Sequence, residues 1–252
     1  MSHHLWWIST GCGKPLSGQG FEAVYGSFMI RLRQIALVAA DLSAATEEIS
    51  RALDVDVVYR DPGVEFFGLH NVLFCIGDQF LEIVSPLREG TTAGRLLEKL
   101  GDDGGYMALY EVDDLDERMN LMTAKGVRRV WEGGTPHIQG RHLHPRDTGG
   151  TLVSLDQPTV PGEWAWGGPT WRTHRTSSVA SSIRAFTVTV PDAKAAESKW
   201  NELGINCAVE FKEDPLRPEG LSGVTLNCVD SSRDGETMTL VGITFTLKAA
   251  QS

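Results

Sequence analysis

Residues 34–42 read QIALVAADL, an apolar run that closes on an aspartate. Residues 107–115, MALYEVDDL, and residues 185–193, AFTVTVPDA, repeat this pattern 73 and then 78 residues further along the chain. Apolar runs of this length, rich in β-branched residues, are typical of strands. Self-similarity at a near-constant spacing indicates a repeated structural unit. We therefore expect three related units, each opening with a strand.

A helix is predicted after each of these strands. Asp41, Asp114 and Asp192 stand directly before segments with helical spacing of apolar residues, where a carboxylate can accept backbone N–H hydrogen bonds as an N-cap. Gly126 and Gly204 stand where the second and third helices should end, a position that favours a residue tolerating positive φ.

The first two units also match at their ends. Residues 68–86 and 140–158 each read as strand, glycine-containing turn and strand, at an offset of 72 residues. The residues that coincide are Gly68 with Gly140, His70 with His142, Gly77 with Gly149 and Pro86 with Pro158. One unit is therefore predicted as β-α-β-β-β, and residues 29–158 contain two of them.

The rest of the chain divides into three segments. Residues 1–28 lack a clear period and are predicted to form an N-terminal arm. Residues 159–182 are rich in Pro, Gly, Thr and Trp, which is typical of an irregular connector; its three tryptophans should pack along the first two units. Residues 183–252 hold the third, partial module, which we expect to cover one sheet edge or to pair with another chain.

Composition excludes several classes of protein. The 252 residues carry 23 Lys and Arg against 33 Asp and Glu, a net charge of −10, which is a poor match to nucleic acid or an anionic membrane. No apolar run reaches the length of a membrane span. The four cysteines lie far apart, which argues against a disulfide scaffold and fits a reducing compartment. We expect a cytoplasmic protein.

The paired units and the stretch HPRDTGGTLV at residues 144–153 resemble the vicinal oxygen chelate superfamily. That superfamily includes glyoxalase I, methylmalonyl-CoA epimerase, extradiol dioxygenases and bleomycin-resistance proteins, and the 144–153 stretch is most similar to the epimerase branch. The resemblance implies an α+β fold in which paired βαβββ modules form a cup-shaped mixed sheet.

The resemblance also implies a divalent metal in the cup, held by the first and last strands of each unit. The corresponding residues here are Gln34, Glu82, Met107 and Ser154. Gln34 and Glu82 offer acceptable oxygen ligands, whereas a thioether and a hydroxyl are poor ligands for a hard cation. The expected metal site is therefore degenerate, with Gln34 and Glu82 as its remaining ligands, and no other cofactor is implied.

Four residues are candidates for catalysis: Glu82, His70, His142 and His144. Proton abstraction beside a carbonyl needs a base of near-neutral pKa, which histidine supplies and which Glu82 could supply or orient. Two alternatives remain open. These histidines could form a relocated metal site with Glu82, or His70 and His142 could be structural.

Substrate binding is assigned to residues on the predicted strands and the connector: Gln34, Met107, Tyr110, Arg141, Ser154 and Trp166. Arg141 belongs to an Arg- and His-containing stretch suited to an anionic group. Trp166 could form part of an apolar wall.

The residues and the resemblance together predict an enzyme. It would be an isomerase, epimerase or lyase acting on a small carbonyl compound or acyl thioester through an enolate-like intermediate. The alternative is a metal-free protein that binds an aromatic small molecule, as resistance proteins do. An extradiol dioxygenase would need two His and one Glu at the ligand positions, which Met107, Ala185 and Ser154 do not supply. We expect a homodimer with a small-molecule substrate, and neither nucleic acid nor membrane as partner.

Overall fold

The computed structural model describes residues 29–174 and 176–250. The arm predicted at residues 1–28 lies outside them. Thirteen strands and four α-helices alternate within the described ranges, and the strands form two sheets. No helix in these ranges has both the length and the apolar character needed to cross a bilayer.

The elements follow the chain in this order: β1 (Ile30–Val38), α1 (Leu42–Leu53), β2 (Val57–Tyr59), β3 (Leu69–Ile76), β4 (Gln79–Pro86), α2 (Thr92–Leu100), β5 (Gly104–Val112), α3 (Leu115–Ala124), β6 (Arg129–Thr135), β7 (Ile138–Leu143), β8 (Leu152–Pro158), β9 (Ala180–Val190), α4 (Ala193–Glu202), β10 (Val209–Glu213), β11 (Gly220–Cys228), β12 (Thr237–Leu240) and β13 (Ile243–Lys248). Five short 3-10 helices occupy connections between them.

The first two units build one curled, open sheet of eight strands. Its order is β2-β3-β4-β1-β5-β8-β7-β6, so each unit contributes four adjacent strands. The opening strand of each unit pairs in parallel with the last strand of the same unit, β1 with β4 and β5 with β8. The two halves join where β1 and β5 run antiparallel. The predicted α+β fold with a cup-shaped mixed sheet is confirmed.

The predicted helix ends are confirmed with one exception. Asp41 accepts from the backbone N–H groups of Ser43 and Ala44, and Asp192 accepts from that of Ala195. Asp114 makes no such cap bond. Its carboxylate instead pairs with Arg118 one helical turn later, at 2.6 Å, and this contact replaces the cap. Gly126 and Gly204 have the expected positive φ.

The third unit forms its own five-stranded sheet, of order β10-β9-β11-β13-β12. It packs on the outer face of the eight-stranded sheet, within the same chain, where the Tyr110 hydroxyl donates to the Cys207 carbonyl at 2.8 Å. The expectation that the unit would cover a sheet edge is not met, and pairing with another chain stays a prediction. The reason is that the apolar outer face, including Ile35, Leu37 and Phe74, is buried in one core with Phe186 and Leu221 of the third unit.

Two neighbouring glycines of β5 test this packing. A Cβ at Gly105 would collide with the backbone carbonyl of Leu221, which cannot turn away, whereas a Cβ at Gly104 would meet only the tip of the Leu100 side chain at 2.6 Å. We expect Gly105→Ala to lower the free energy of unfolding by about 2 kcal/mol, the usual cost of overpacking. Gly104→Ala is the matched control and should change it by less than about 1 kcal/mol. Equal urea denaturation midpoints for the two variants would contradict the close contact between the sheets.

Candidate active site

The inner face of the eight-stranded sheet encloses a cavity of about 340 Å³. Its lining comes from both units, from the 3-10 helix Pro62–Phe67 and from the connector at Ala165 and Trp166. The predicted site residues that line it are Gln34, Glu82, Met107, His142 and Trp166. The cup therefore brings residues from distant parts of the sequence to one concave surface.

Glu82 is the central buried carboxylate on this surface. It lies on β4 with 6% of its surface exposed. Its two oxygens each accept one side-chain amide N–H, Oε1 from Asn71 at 2.6 Å and Oε2 from Gln34 at 2.8 Å. Burial raises the pKa of Glu82 above its ordinary value, while the two amide bonds lower it in part. The result is a carboxylate that is more basic than usual and held in one position.

The orientations of the two amides are fixed by their other partners. The Trp164 indole donates to Oε1 of Gln34 at 2.8 Å, and the backbone N–H of Asp61 donates to Oδ1 of Asn71 at 2.8 Å. An indole N–H and a backbone N–H can only donate, so the amide oxygens must face them. Both NH₂ groups must therefore face Glu82.

This arrangement does not fit a divalent cation. The side-chain oxygen of Gln34 faces Trp164, so Gln34 presents its NH₂ group to Glu82. The resemblance instead expects both residues to present oxygen atoms to a metal here. The other two positions hold the thioether of Met107 and the hydroxyl of Ser154, neither of which suits a hard cation. The described residues also contain no cluster of three or more His, Cys, Asp or Glu with the geometry of a metal site.

A second buried carboxyl, Asp156 on β8, lines the same cavity. It is 1% exposed, and its Oδ1 accepts the Trp166 indole N–H at 3.0 Å. Burial raises the pKa of Asp156 to about 7, although Ser154, Trp166 and Arg141 each lower it in part. Asp156 was missed from the sequence. The sequence could have indicated it, because Asp156 is two residues after Ser154 and therefore lies on the same face of the strand.

His142 lies against aromatic rings in the second half of the cavity. Its ring centroid is 4.3 Å from that of Trp131 and 6.1 Å from that of Phe67, with which it stacks. Burial lowers the pKa of His142 to about 3. The side chain is half-buried at the cavity wall, and the imidazole is neutral at neutral pH.

The structure does not bring His70 and His142 together. In the first unit Leu73 lies opposite Glu82, and in the second His142 lies opposite Ser154, so the counterpart of His142 is Leu73. The β7–β8 connection is longer than the β3–β4 turn, which shifts the register that the sequence offset suggested. His70 is exposed and does not line the cavity.

Four other predicted residues lie off the cavity surface. His144 accepts the backbone N–H of Arg146 at a 3-10 turn, and Arg141 lies 3.6 Å from the carboxylate of Glu132. Tyr110 packs between the two sheets, and Ser154 is completely buried in β8 without lining the cavity.

The connector is anchored across the cup by a buried ion pair. Arg33 is fully buried, donates to Glu111 at 2.9 Å and lies within 5.5 Å of the Trp164 and Trp171 ring centroids. Arg33 also donates to the Gly162 carbonyl at 3.2 Å, and the Gly162 N–H donates to Glu111 at 2.7 Å. These contacts place Trp164 against Gln34.

Comparison with known proteins agrees with this architecture. A family model described as a glyoxalase-like domain matches residues 35–204, about two thirds of the chain, and the chain belongs to that family. The predicted resemblance to the vicinal oxygen chelate superfamily, in its epimerase-like branch, is confirmed.

The individual proteins that this chain is similar to are named as epimerases. The ethylmalonyl-CoA/methylmalonyl-CoA epimerase of Cereibacter sphaeroides is 30% identical over 133 residues, which cover 50% of this chain and 97% of the relative. The mitochondrial methylmalonyl-CoA epimerase of Homo sapiens is 27% identical over 146 residues, 56% of this chain and 82% of the relative. The crystal structure of methylmalonyl-CoA epimerase from Mycobacterium tuberculosis is 26% identical, with a TM-score of 0.46 and coverage of 51% of this chain and 88% of that one.

The side chains at the expected metal positions predict that divalent cations change the melting temperature very little. A site loaded at 100 times its dissociation constant would stabilise the fold by about 2.7 kcal/mol, which raises the melting temperature by about 5 °C or more. We expect Mn²⁺ or Co²⁺ to shift the melting temperature of chelator-treated protein by less than about 1 °C. A shift of 5 °C that disappears in Glu82→Gln would show that Glu82 does ligate a metal.

The raised pKa of Asp156 predicts a pH-dependent stability. The folded chain holds the proton up to about pH 7, whereas the ordinary value is 3.8. This contribution to the free energy of unfolding is therefore complete below about pH 4 and is lost as pH rises through 7. Asp156→Asn keeps an oxygen for Trp166 and removes the titration. Relative to the parent, its free energy of unfolding should rise by roughly 3 kcal/mol between pH 5 and pH 8.

The measurement is urea denaturation at several pH values. The exposed Asp116 of α3 supplies the control, since Asp116→Asn should follow the parent profile. Parallel profiles for Asp156→Asn and the parent would contradict the assignment.

Proposed function

We propose that this chain is an isomerase that moves a proton on the carbon next to the carbonyl of an acyl thioester, without a bound metal. The observation that carries the proposal is the pair of buried carboxyls, Glu82 and Asp156, that line one cavity. The relatives named as epimerases of acyl-CoA thioesters support both the reaction class and the thioester.

The strand order puts the two carboxyls on opposite halves of the cup. Glu82 and Asp156 lie on β4 and β8, which are separated by β1 and β5. Three strand spacings amount to about 14 Å along the sheet. Both side chains line the same concave face, one from each half of the cup. A substrate carbon held between them could be reached from two opposite faces, as an epimerase requires.

The two carboxyls are suited to opposite roles. Glu82, with a raised pKa and a fixed position, would take the proton from the carbon beside the carbonyl. Asp156, with a pKa of about 7, is substantially protonated at neutral pH and would return a proton to the other face. The transfer leaves Glu82 protonated and Asp156 ionised, and proton exchange with water restores both groups before the next turnover.

Amide groups supply donors for the enolate oxygen that forms between these steps. Gln34 and Asn71 each use one N–H on Glu82, and each side-chain amide carries a second. Both residues line the cavity, so these donors are already in place as negative charge develops on the substrate oxygen.

A metal-free binding protein for an aromatic small molecule is the second candidate. The aromatic wall formed by Phe67, Trp131, His142 and Trp166 favours it. A binding protein needs no proton exchange, so catalysis separates the two candidates. The lyase outcome, the homodimer and the cytoplasmic location remain predictions.

The test is exchange of the substrate proton with solvent. 2-Methyl acyl thioesters are incubated with the protein in D₂O, and the C2 proton signal is followed by NMR. We expect Glu82→Gln to slow the exchange by 10² to 10⁴-fold, the usual contribution of a general base. Asp156→Asn should abolish inversion at C2 while leaving part of the exchange.

The matched control is Glu197→Gln, the same change at an exposed position of α4, which should exchange at the parent rate. Exchange by Glu82→Gln at the parent rate would refute the assignment of the base. Thioester binding by the parent without any exchange would favour the binding protein.

A further inference from the structure

The ionisable residues that line the cavity share one property: none of those described is a Lys or Arg. Three are carboxylic acids, Asp61, Glu82 and Asp156, and the remainder are Tyr59, Tyr106 and the neutral His142. An anionic group entering the cavity would meet carboxyl groups on both sides of the cup and no counter-charge on the described lining.

Three cations beside the cup have their partners elsewhere. Arg141 faces away from the cavity toward Glu132, although its charge is felt at Asp156. Arg33 is buried in its pair with Glu111, and Arg95, which is felt at Tyr106, donates to the Gly90 carbonyl. Each of these cations already has an oxygen partner.

The remaining lining is apolar and aromatic. Phe67 meets Trp131 edge to face, with ring centroids 5.5 Å apart, and Phe66 at the rim is 77% exposed. The cavity volume of about 340 Å³ exceeds the roughly 150 Å³ of an engineered protein cavity that takes up benzene. A phenyl ring and a short branch therefore fit within the available space.

We infer that the acyl group taken by this cavity is neutral and apolar, either aromatic or branched, and that an acyl group bearing a free carboxylate is rejected. The inference rests on the proposed function for the thioester, and it narrows the substrate class by the charge and shape of the cavity. A methylmalonyl group carries such a free carboxylate. In this chain that carboxylate would lie near Glu82 with neither a metal nor a cationic side chain to balance it.

Binding measurements test the inference without catalysis. Three small amides are compared by isothermal titration with the full chain: 2-phenylpropionamide, 2-methylmalonamide and its monoacid 2-methylmalonamate. The last two match in size and differ by one negative charge. We expect the dissociation constant of the monoacid to exceed that of the diamide at least tenfold, because like charges in a desolvated site repel. The phenyl compound should bind most tightly.

A charge placed at the rim separates electrostatics from shape. Thr135 is a half-buried residue at the end of β6 that lines the cavity and has no part in the proposed proton transfer. Thr135→Lys should reduce the ratio of the two dissociation constants, monoacid over diamide, at least fivefold, whereas the control Thr135→Gln should leave the ratio unchanged. The ratio is insensitive to a general loss of affinity.

The outcomes distinguish this inference from the proposed function. Equal or tighter binding of the monoacid, or an unchanged ratio in Thr135→Lys, would overturn the inference whether or not exchange occurs. Selective binding of the neutral amides supports it, even if no thioester exchanges its proton, in which case the proposed function alone fails. In the catalytic arm, a KM for 2-phenylpropionyl-CoA at least tenfold below that for methylmalonyl-CoA would support both.

Discussion

The candidate site depends on one hydrogen-bonded chain, in which Trp164 and the Asp61 backbone orient two amides that hold Glu82. An isolated buried carboxylate costs several kcal/mol. Hydrogen bonds to a charged group contribute about 1.5–3 kcal/mol each, so two of them offset much of this cost. The carboxylate therefore remains available as a base inside the cup, and it stays there only while both amides keep their orientation.

That requirement gives the connector a role that its irregular composition does not suggest. Trp164 belongs to a segment outside the repeated units, yet it determines which atom of Gln34 faces Glu82. The segment is held by Arg33, whose charge is balanced by Glu111 and whose guanidinium lies over the rings of two tryptophans. Burial lowers the pKa of Arg33 to about 10, which still leaves it charged at neutral pH. A buried ion pair on the sheet therefore fixes the geometry of a polar group on the cup surface.

The sequence predicted the features that depend on local patterns. The three opening strands, the capping by Asp41 and Asp192, and the cup follow from residue spacing and resemblance. The position of Glu82 in the cavity could be predicted, because Glu82 lies on the last strand of the first unit. Asp156 and Asn71 were missed because their importance comes from burial and from partners distant in the sequence. The offset of 72 residues misled for His70 and Gly68, since the longer β7–β8 connection shifts the register, so that Leu73 corresponds to His142 and Asn71 to Gly140.

The proposed metal-free site, with amides as its donors, would act on a substrate differently from a metal site. A divalent cation polarises a carbonyl strongly, whereas amide N–H groups stabilise an enolate only as hydrogen-bond donors. Without a metal, the substrate C–H bond must itself be more acidic for the base to remove its proton. A thioester carbonyl acidifies the neighbouring C–H bond, and an aromatic group on the same carbon acidifies it further by delocalising the charge. The aromatic wall around His142 and the amide pair on Glu82 thus favour the same substrate, because the group that fits the wall is also the group whose proton a metal-free base can remove.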